Sequence, residues 1–243
     1  MQKKIILSKL KKNLSKKNFY FISKGYIFLK NIIINPSISI LRFYRIYTPK
    51  YKIKKKIHFG NTKENVYFLK LLKKSKLYFE YGSGNSTLVA KELKVNFYSV
   101  DSDKSFYIHL KKKIKKNYFL RDLGFVYYYS IPIFFWIRKF FLKAKAKKYA
   151  GDVLEILRLR KLSPDLILVD GCYRVLCALY LYNFFKINKK RFIIVIDDYK
   201  ERTEYKVLEK FFVIKKIGRF GVAQAIKKKN TDKYIDKYSL DFR

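Results

Sequence analysis

The sequence Leu77-Tyr78-Phe79-Glu80-Tyr81-Gly82-Ser83-Gly84-Asn85-Ser86-Thr87 decides the fold. A short apolar strand leads to an acidic residue, then to a glycine turn, and then to the start of a helix. Gly82 and Gly84 permit a sharp turn and a close approach of the backbone to a ligand. Ser86 or Thr87 can cap the helix, whose first amides then face the ligand. This order predicts a pocket for an adenosine-containing cofactor.

Two residues, Thr87 and Glu80, indicate which adenosine-containing cofactor the pocket would bind. A dinucleotide fingerprint requires a third glycine three residues after the second, so that helix and strand pack tightly around a pyrophosphate. That position is Thr87. The carboxylate of Glu80 is unfavourable beside a pyrophosphate, but it suits a ligand with a sulfonium and an amino group. The sequence therefore predicts S-adenosylmethionine as the cofactor.

From residue 61 onward, short apolar strands alternate with helices. Strands are predicted at 77–81, 96–100, 124–129, 165–169, 191–196, 212–217 and 222–226. Nearly continuous apolar strands separated by helices are typical of a sheet covered on both faces. The last two strands are joined by a short glycine-bounded turn and predict an antiparallel hairpin. The expected fold is α/β: a Rossmann-like, doubly wound, mostly parallel seven-stranded sheet with a C-terminal hairpin.

These motifs, taken in order, resemble those of the class I S-adenosylmethionine-dependent methyltransferases over roughly residues 60–228. The resemblance rests on the residues from Glu80 to Gly84, on Asp101 after the second strand, and on acids after the fourth and fifth strands. Residues 80–87, 169–175 and 197–199 are also similar to a largely uncharacterised bacterial group of methyltransferase-domain proteins. The resemblance implies an enzyme that transfers a methyl group from S-adenosylmethionine.

The resemblance also implies which residues bind the cofactor. Glu80 and the backbone of Gly82, Ser83 and Gly84 would hold its methionine portion. Asp101 would accept hydrogen bonds from the ribose hydroxyls, with Asp103 as the competing choice. Residues 125–128 would lie near the adenine edge. The alternative interpretation of the two acids is that they are solvated strand ends.

Candidate catalytic residues lie at the ends of the fourth and fifth strands. Methyl transfer needs an aligned nucleophile and a base for its proton, and Asp170 or Asp198 is expected to be that base. Arg174 would orient an anionic substrate, and Tyr199 or Arg202 would line the same mouth. Alternatively, Asp198 caps a helix and Arg174 pairs with a neighbouring acid.

A magnesium site is a further alternative at this edge. Catechol O-methyltransferase and its relatives hold magnesium with acids in similar places, and Asp170, Asp197 and Asp198 offer the oxygen ligands that this ion prefers. In that group the companion residue after the fifth strand is typically an asparagine, but here it is Asp198. No residue is therefore assigned as a metal ligand, and Mg²⁺ stays an open alternative.

The remaining segments divide the chain into an extension, a domain and a tail. Residues 1–60 predict a basic helical extension that packs on the domain, lines the substrate entrance or touches a membrane surface. Residues 61–228 form the methyltransferase-like domain. An aromatic insertion at 127–149 is expected to cover the substrate, although it could instead contact a membrane or pack as a helix. Residues 229–243 are expected to be a loosely ordered tail.

The charge of the chain has two open interpretations. Fifty-seven lysines and arginines against 18 acids give a formal net charge of +39, which is typical of proteins that bind nucleic acid or anionic membranes. However, the lysines are spread along the chain and accompany many Ile, Asn, Phe and Tyr residues, as an AT-rich genome favours. No uninterrupted apolar signal segment or membrane span is evident, so a cytoplasmic protein is expected.

Three functions follow in order of preference. The first is a methyltransferase acting on an oxygen or nitrogen of a small metabolite or saccharide. The second is an RNA methyltransferase, favoured by the charge and by the aromatic and basic residues of 127–149, although no RNA-binding module is recognisable. The third is a non-catalytic polyanion- or membrane-associated protein that keeps the fold. The sequence leaves the oligomeric state open.

Overall fold

The computed structural model describes residues 57–123 and 135–241. The predictions for residues 1–56, for the strand at 124–129 and for the adenine-edge residues 125–128 lie outside the described residues, as does the start of the aromatic insertion. The elements, in chain order, are α1 (Thr62–Lys74), β1 (Leu77–Tyr81), α2 (Asn85–Glu92), β2 (Asn96–Asp101), α3 (Lys104–Lys111), β3 (Tyr118–Leu120), α4 (Phe135–Leu159), β4 (Leu166–Val169), α5 (Arg174–Asn188), β5 (Ile193–Ile196), a 3₁₀ helix (Thr203–Lys210), β6 (Phe212–Ile217), β7 (Phe220–Ile226) and α6 (Asp232–Tyr238).

Within the described residues, seven strands form one sheet in the order β3-β2-β1-β4-β5-β7-β6. Strands β1 to β5 pair in parallel with one another, and β7 is antiparallel to both β5 and β6. In register, Tyr81 lies opposite Val100 on one side and Val169 on the other. The ends of β1, β2 and β4 therefore align at one edge. The predicted α/β fold with its C-terminal hairpin is confirmed.

The apolar strands are continuous because both faces of the sheet are covered. Alternate side chains of a strand point to opposite faces. Phe79 and Ile167 belong to a core cluster that α4 and α5 share, whereas Tyr78 and Leu168 belong to a second cluster with α1 and α2. All four residues of β4 are buried. A polar side chain on either face of this strand would be buried, so every residue of β4 is apolar.

The third strand is earlier and shorter than predicted. It spans Tyr118–Leu120, and its pairing joins Tyr118 to Ser99 and Leu120 to Asp101. The preceding helix ends at Lys111. Asn117 then takes a left-handed conformation with φ of 57° and turns the chain into the strand. A strand of three residues leaves little periodic pattern in the sequence. The prediction at 124–129 was based instead on the longer run of apolar and aromatic residues there.

The aromatic insertion is largely a crossover helix. Residues 135–149 belong to α4, which continues for 25 residues to Leu159. Leu142, Ala146 and Tyr149 are buried in the core, so this part of the segment packs on the sheet. That the insertion covers a substrate stays a prediction. Small residues on α4 allow α5 to approach closely: a Cβ at Gly151 would lie 2.7 Å from the Tyr180 ring. No helix within residues 57–123 and 135–241 is long and apolar enough to cross a bilayer.

The C-terminal segment is ordered, against the prediction of a loose tail at 229–243. Helix α6 packs against α5, and Thr231 Oγ1 donates to Asn183 Oδ1 at 2.9 Å. The rings of Tyr234 and Phe211 are 5.0 Å apart in an edge-to-face contact. Tyr238 is buried. Apolar residues spaced along a short helix hold the segment to the domain, although lysines separate them in the sequence.

The turns after β1 and β4 pack backbone against backbone. Gly82 has a φ of +89°, and a Cβ there would lie 2.7 Å from the backbone nitrogen of Gly171. A Cβ on Gly171 would collide with the hydroxyl of Tyr149 and lie 3.0 Å from the nitrogen of Gly82. Gly84 differs, because a Cβ there would meet no atom within 4 Å. Gly82 and Gly171 are therefore required by protein packing, whereas Gly84 faces open space.

Alanine substitutions distinguish a glycine that is required for packing, Gly171, from one that faces open space, Gly84. We expect Gly171→Ala to lower the free energy of unfolding by about 2–3 kcal/mol, because the new methyl group overlaps buried Tyr149. Gly84→Ala should change it by less than about 1 kcal/mol, a helix N-cap effect at most. Urea denaturation of both variants beside the wild type measures the difference. Equal stabilities of the two variants would contradict the close contact.

Candidate cofactor and catalytic site

The carboxyl ends of β1, β2, β4 and β5 bring the predicted site residues to one edge of the sheet. The glycine turn follows β1, Asp101 ends β2, Asp170 follows β4 and Asp197 follows β5. The strand order reverses between β1 and β4, with β2 on one side and β5 on the other. Open α/β sheets bind ligands in the crevice outside such a reversal. The glycine turn and Asp170 flank that crevice.

Glu80 is fully buried and joins β1 to the start of α2. Its carboxylate accepts hydrogen bonds from Tyr78 Oη at 2.6 Å, from Ser86 Oγ at 2.6 Å and from Thr87 Oγ1. Thr87 Oγ1 in turn accepts the Gly84 N–H at 2.9 Å. Burial raises the pKa of Glu80, and the three hydroxyl donors oppose that shift. Glu80 is therefore not a solvated strand end; it fixes the turn that Gly82, Ser83 and Gly84 form.

Asp101 ends β2, contacts that turn and is 5% exposed. Its carboxylate accepts a hydrogen bond from the Ser83 hydroxyl and another from the Asp103 N–H at 2.8 Å. Ser83 Oγ also lies 2.9 Å from the hydroxyl of Tyr118 on β3. Burial raises the pKa of Asp101. Asp101 is therefore buried against the glycine turn and is not a solvated strand end.

Asp103, the competing choice, has a different task. Its Oδ1 accepts the backbone N–H of Phe106 at 3.0 Å, in the first turn of α3. Aspartate is a favoured residue immediately before a helix, because it satisfies amides that have no partner within the helix. Of the two acids, Asp101 is the one that contacts the glycine turn.

Three aspartates and two arginines form one cluster at the ends of β4 and β5. Arg174 Nη2 lies 2.8 Å from Asp170 Oδ1, and its Nη1 lies 3.0 Å from Asp198 Oδ2. Arg219 Nε lies 2.7 Å from Asp197 Oδ1, and its Nη2 contacts Asp198 Oδ1. Arg174 therefore pairs with neighbouring acids, as one interpretation of the sequence expected. Asp198 lies between two guanidinium groups.

Arg219 is the site residue that sequence reasoning missed. It stands in the turn between β6 and β7, after Gly218, whose φ is +57°. Its N–H donates to Glu64 Oε1 at 3.0 Å, which ties the turn to α1. The available signal was a lone arginine in a tight hairpin at the same sheet edge as unpaired acids. Hairpin turns carry no motif, so only the topology brings this side chain to the cluster.

The aspartate cluster differs from a metal site. Among the residues that the structure describes, no group of three or more histidines, cysteines, aspartates or glutamates is arranged to hold a metal ion. Two guanidinium groups occupy the positions beside Asp197 and Asp198 that a cation would take. Three carboxylates and two guanidinium groups give the cluster a formal net charge of −1. The arrangement gives no support to the magnesium alternative.

Asp170 is the member of the cluster with the most freedom. Its side chain is 33% exposed, against 5% for Asp197 and 16% for Asp198. Partial burial raises the pKa of Asp170 to about 8, with Arg174 opposing the shift and Asp197 adding to it. Asp170 therefore takes up and releases a proton more readily near neutral pH than an ordinary carboxyl group.

Tyr199 and Arg202 do not join the cluster. Tyr199 is buried against Gly221, and its hydroxyl donates to Glu209 Oε1 at 3.0 Å. The guanidinium of Arg202 lies over the ring of Tyr205. Both residues therefore pack on the 3₁₀ helix and the hairpin, and the predicted substrate mouth does not include Tyr199.

No protein-family profile and no curated protein matches this sequence. The structure is similar to the crystal structure of a methyltransferase-like protein from Silicibacter pomeroyi, with a TM-score of 0.59 and 23% sequence identity. The likeness covers 77% of this chain and 99% of that chain. At this identity the likeness concerns the fold alone. The chain has a methyltransferase-like, Rossmann-like fold.

The hydroxyl network around Glu80 is testable through stability. We expect Glu80→Ala to lower the free energy of unfolding by about 2–4 kcal/mol, because three buried hydroxyls lose their acceptor. Glu80→Gln keeps an acceptor and should cost less. Urea denaturation with a circular dichroism readout measures both.

The pH dependence of that comparison has a definite sign. Because the folded-state pKa of Glu80 is raised, the folded protein keeps a proton that the unfolded chain has already released. The wild type should therefore lose stability relative to Glu80→Gln as the pH rises from the ordinary carboxyl pKa through the raised value. A wild-type advantage that grows with pH over this window would contradict a raised pKa.

Proposed function

We propose that this protein is an S-adenosylmethionine-dependent methyltransferase, and that its acceptor is an oxygen or nitrogen atom of a small metabolite or saccharide. The observation that carries the proposal is the contact between the glycine turn after β1 and buried Asp101 at the end of β2. This contact lies beside the reversal in strand order, where an open α/β sheet offers its ligand crevice. We further propose a cytoplasmic location.

The residues of the crevice fit the cofactor. Gly84 faces open space, so a ligand can approach the backbone there. Asp101 offers carboxylate oxygens to a ribose diol, and the first amides of α2 face the same space. Glu80 would act through the turn that it fixes, and its charge favours a cationic ligand. When bound, the cofactor supplies an electrophilic methyl group; the chain supplies its orientation and a base for the acceptor.

Asp170 is the proposed base, in preference to Asp198. Both oxygens of Asp198 face guanidinium groups, and its backbone is held at a φ of 58°. Asp170 has one guanidinium partner and is a third exposed. It also follows β4, next to the glycine turn. Asp170 can therefore accept the proton of an acceptor hydroxyl or amine, while Arg174 limits its motion.

Cofactor binding tests the first part of the proposal. We expect calorimetric titration to give micromolar binding of S-adenosylmethionine and no binding of NAD. Asp101→Asn should weaken that binding by about 10- to 100-fold, because a hydrogen bond to a charged group is lost.

Asp103→Asn, which keeps a helix-capping side chain, is the matched control and should bind like the wild type. Gly84→Ala should weaken binding without loss of stability, because its methyl group occupies ligand space. Absence of S-adenosylmethionine binding by a folded wild type would overturn the proposal.

The dependence of the rate on pH tests the base. Methyl transfer should accelerate as the pH rises through about 8, because Asp170 must be deprotonated to act and its pKa is raised. Asp170→Asn should reduce the rate at saturating substrate by about 100-fold or more and remove this rise. Cofactor affinity, measured in parallel, should stay unchanged. Full activity in Asp170→Asn would remove Asp170 from the mechanism while leaving the cofactor assignment intact.

A further inference from the structure

Fourteen of the lysines of the domain lie at one edge of the sheet. In a parallel sheet, each connection from a helix to the next strand lies at the amino edge, opposite the crevice. These connections comprise residues 73–76, 91–94, 111–116, 158–165 and 186–191, which we call the basic edge. Together they contain seventeen lysines and arginines and two acids, Glu92 and Asp165, and every one of the cations is exposed.

The opposite edge has the reverse charge. Its described connections are residues 82–84, 102–103, 121–123, 170–173, 197–202 and 218–219, and they contain four cations and six acids. Compositional drift adds lysine wherever the surface permits it, so it does not explain two edges of opposite sign. Lysine does favour helix C-termini, but residues 113–116 and 189–191 lie beyond the last turns of α3 and α5.

Side-chain contacts join neighbouring connections of the basic edge in two places. Lys91 Nζ donates to the backbone oxygen of Lys113, which joins the ends of α2 and α3. Asp165 accepts the N–H groups of Lys76 at 2.9 Å and Leu77 at 3.1 Å, which joins the connections before β1 and β4. Glu155 pairs with Arg158 at 2.5 Å and offsets one cation. With strands about 4.8 Å apart, five neighbouring strands spread these charges over roughly 20 Å.

Exposed aliphatic side chains lie among these cations. Within the described residues, six large apolar side chains are exposed, and four of them lie at this edge: Leu93, Leu159, Ile187 and Val213. Leu159 and Ile187 are 71% and 68% exposed at the ends of α4 and α5. Val213 reaches the edge because β6 begins opposite the end of β7, beyond the start of β5.

This combination fits an anionic membrane surface better than a nucleic acid. Single-stranded nucleic acid is typically bound on exposed aromatic rings, and phosphate recognition favours arginine. Within residues 57–123 and 142–241 no Phe, Tyr or Trp side chain is exposed, and fourteen of the seventeen cations are lysines. Lysines around exposed aliphatic side chains suit anionic headgroups and the boundary of the acyl chains. We propose that the basic edge docks the protein on an anionic lipid surface, with the cofactor crevice facing away from it.

The test uses the full chain and vesicles in a sedimentation assay. The vesicles are phosphatidylcholine alone, or phosphatidylcholine with about 30 mol% phosphatidylglycerol to supply the negative surface potential. Wild type should bind only the anionic vesicles. The variant Leu159→Ser/Ile187→Ser should bind about five-fold more weakly, because two apolar contacts are lost.

Matched controls separate this edge from the overall charge. Val66→Ser/Ile108→Ser changes two side chains that are 60% and 52% exposed along α1 and α3, away from the edge, and should bind like the wild type. Lys112→Glu/Lys190→Glu should weaken binding about ten-fold more than Lys63→Glu/Lys206→Glu, which removes the same charge elsewhere. Residues 1–56 are identical in all variants, so their contribution is constant.

The outcomes are distinct. The expected order supports membrane docking by this edge. Equal binding by both serine variants, or equal effects of both charge variants, overturns it. Tight binding of a twenty-nucleotide RNA that is lost only in Lys112→Glu/Lys190→Glu, with vesicle binding unchanged, would assign the edge to nucleic acid instead. Affinity for S-adenosylmethionine is independent of all these outcomes and should not change in any variant.

Discussion

The contact between two glycine backbones organises this molecule. Gly82 and Gly171 meet where no Cβ fits, with the hydroxyl of Tyr149 beneath them. This contact brings together the turns that follow β1 and β4, and so sets the width of the crevice at the reversal in strand order. Asp170 belongs to the second of these turns, and Asp101 and Asp198 come from the ends of the strands beside β1 and β4. A glycine that suggests ligand binding in the sequence is thus first a requirement of protein packing.

The second organising feature is the balance of charge above those turns. Three carboxylates at neighbouring strand ends would repel one another, and burial would make the repulsion costly. Two guanidinium groups, one from α5 and one from the hairpin, remove most of that cost. They do so unequally, because Asp197 and Asp198 are held on both sides and Asp170 on one. Because of this asymmetry, Asp170 can exchange a proton, whereas Asp197 and Asp198 support the structure.

The sequence predicted most of the sheet because its signals were physical requirements. β1, β4 and β5 are apolar because they are buried on both faces, and each is followed by an acid or a glycine where the chain turns. β3 escaped detection because three residues paired to a single neighbour carry no periodicity. The aromatic segment at 127–149 was read as a lid because aromatic residues beside lysines fit a surface as well as a core. Only the position of α4 shows that Leu142 and Tyr149 face inward.

At the site, the sequence located the acids but not their partners. Asp101, Asp170 and Asp198 follow apolar strands, and that position alone marks them. Which oxygen atoms are already occupied depends on contacts between elements distant in the chain, such as Arg219 with Asp198 or Ser83 with Tyr118. Those contacts distinguish Asp101 from Asp103 and Asp170 from Asp198, and no local pattern encodes them.

The opposite charges at the two sheet edges also give the domain a permanent electric dipole along its strands. Such a dipole exerts a torque on the molecule in the field of any charged surface, at distances comparable to the Debye length, about 8 Å at physiological ionic strength. The protein is then turned before it makes contact, so most encounters with a negative surface begin in the same orientation. The rate of productive encounter is set by that rotation as well as by diffusion, and it falls as salt screens the field.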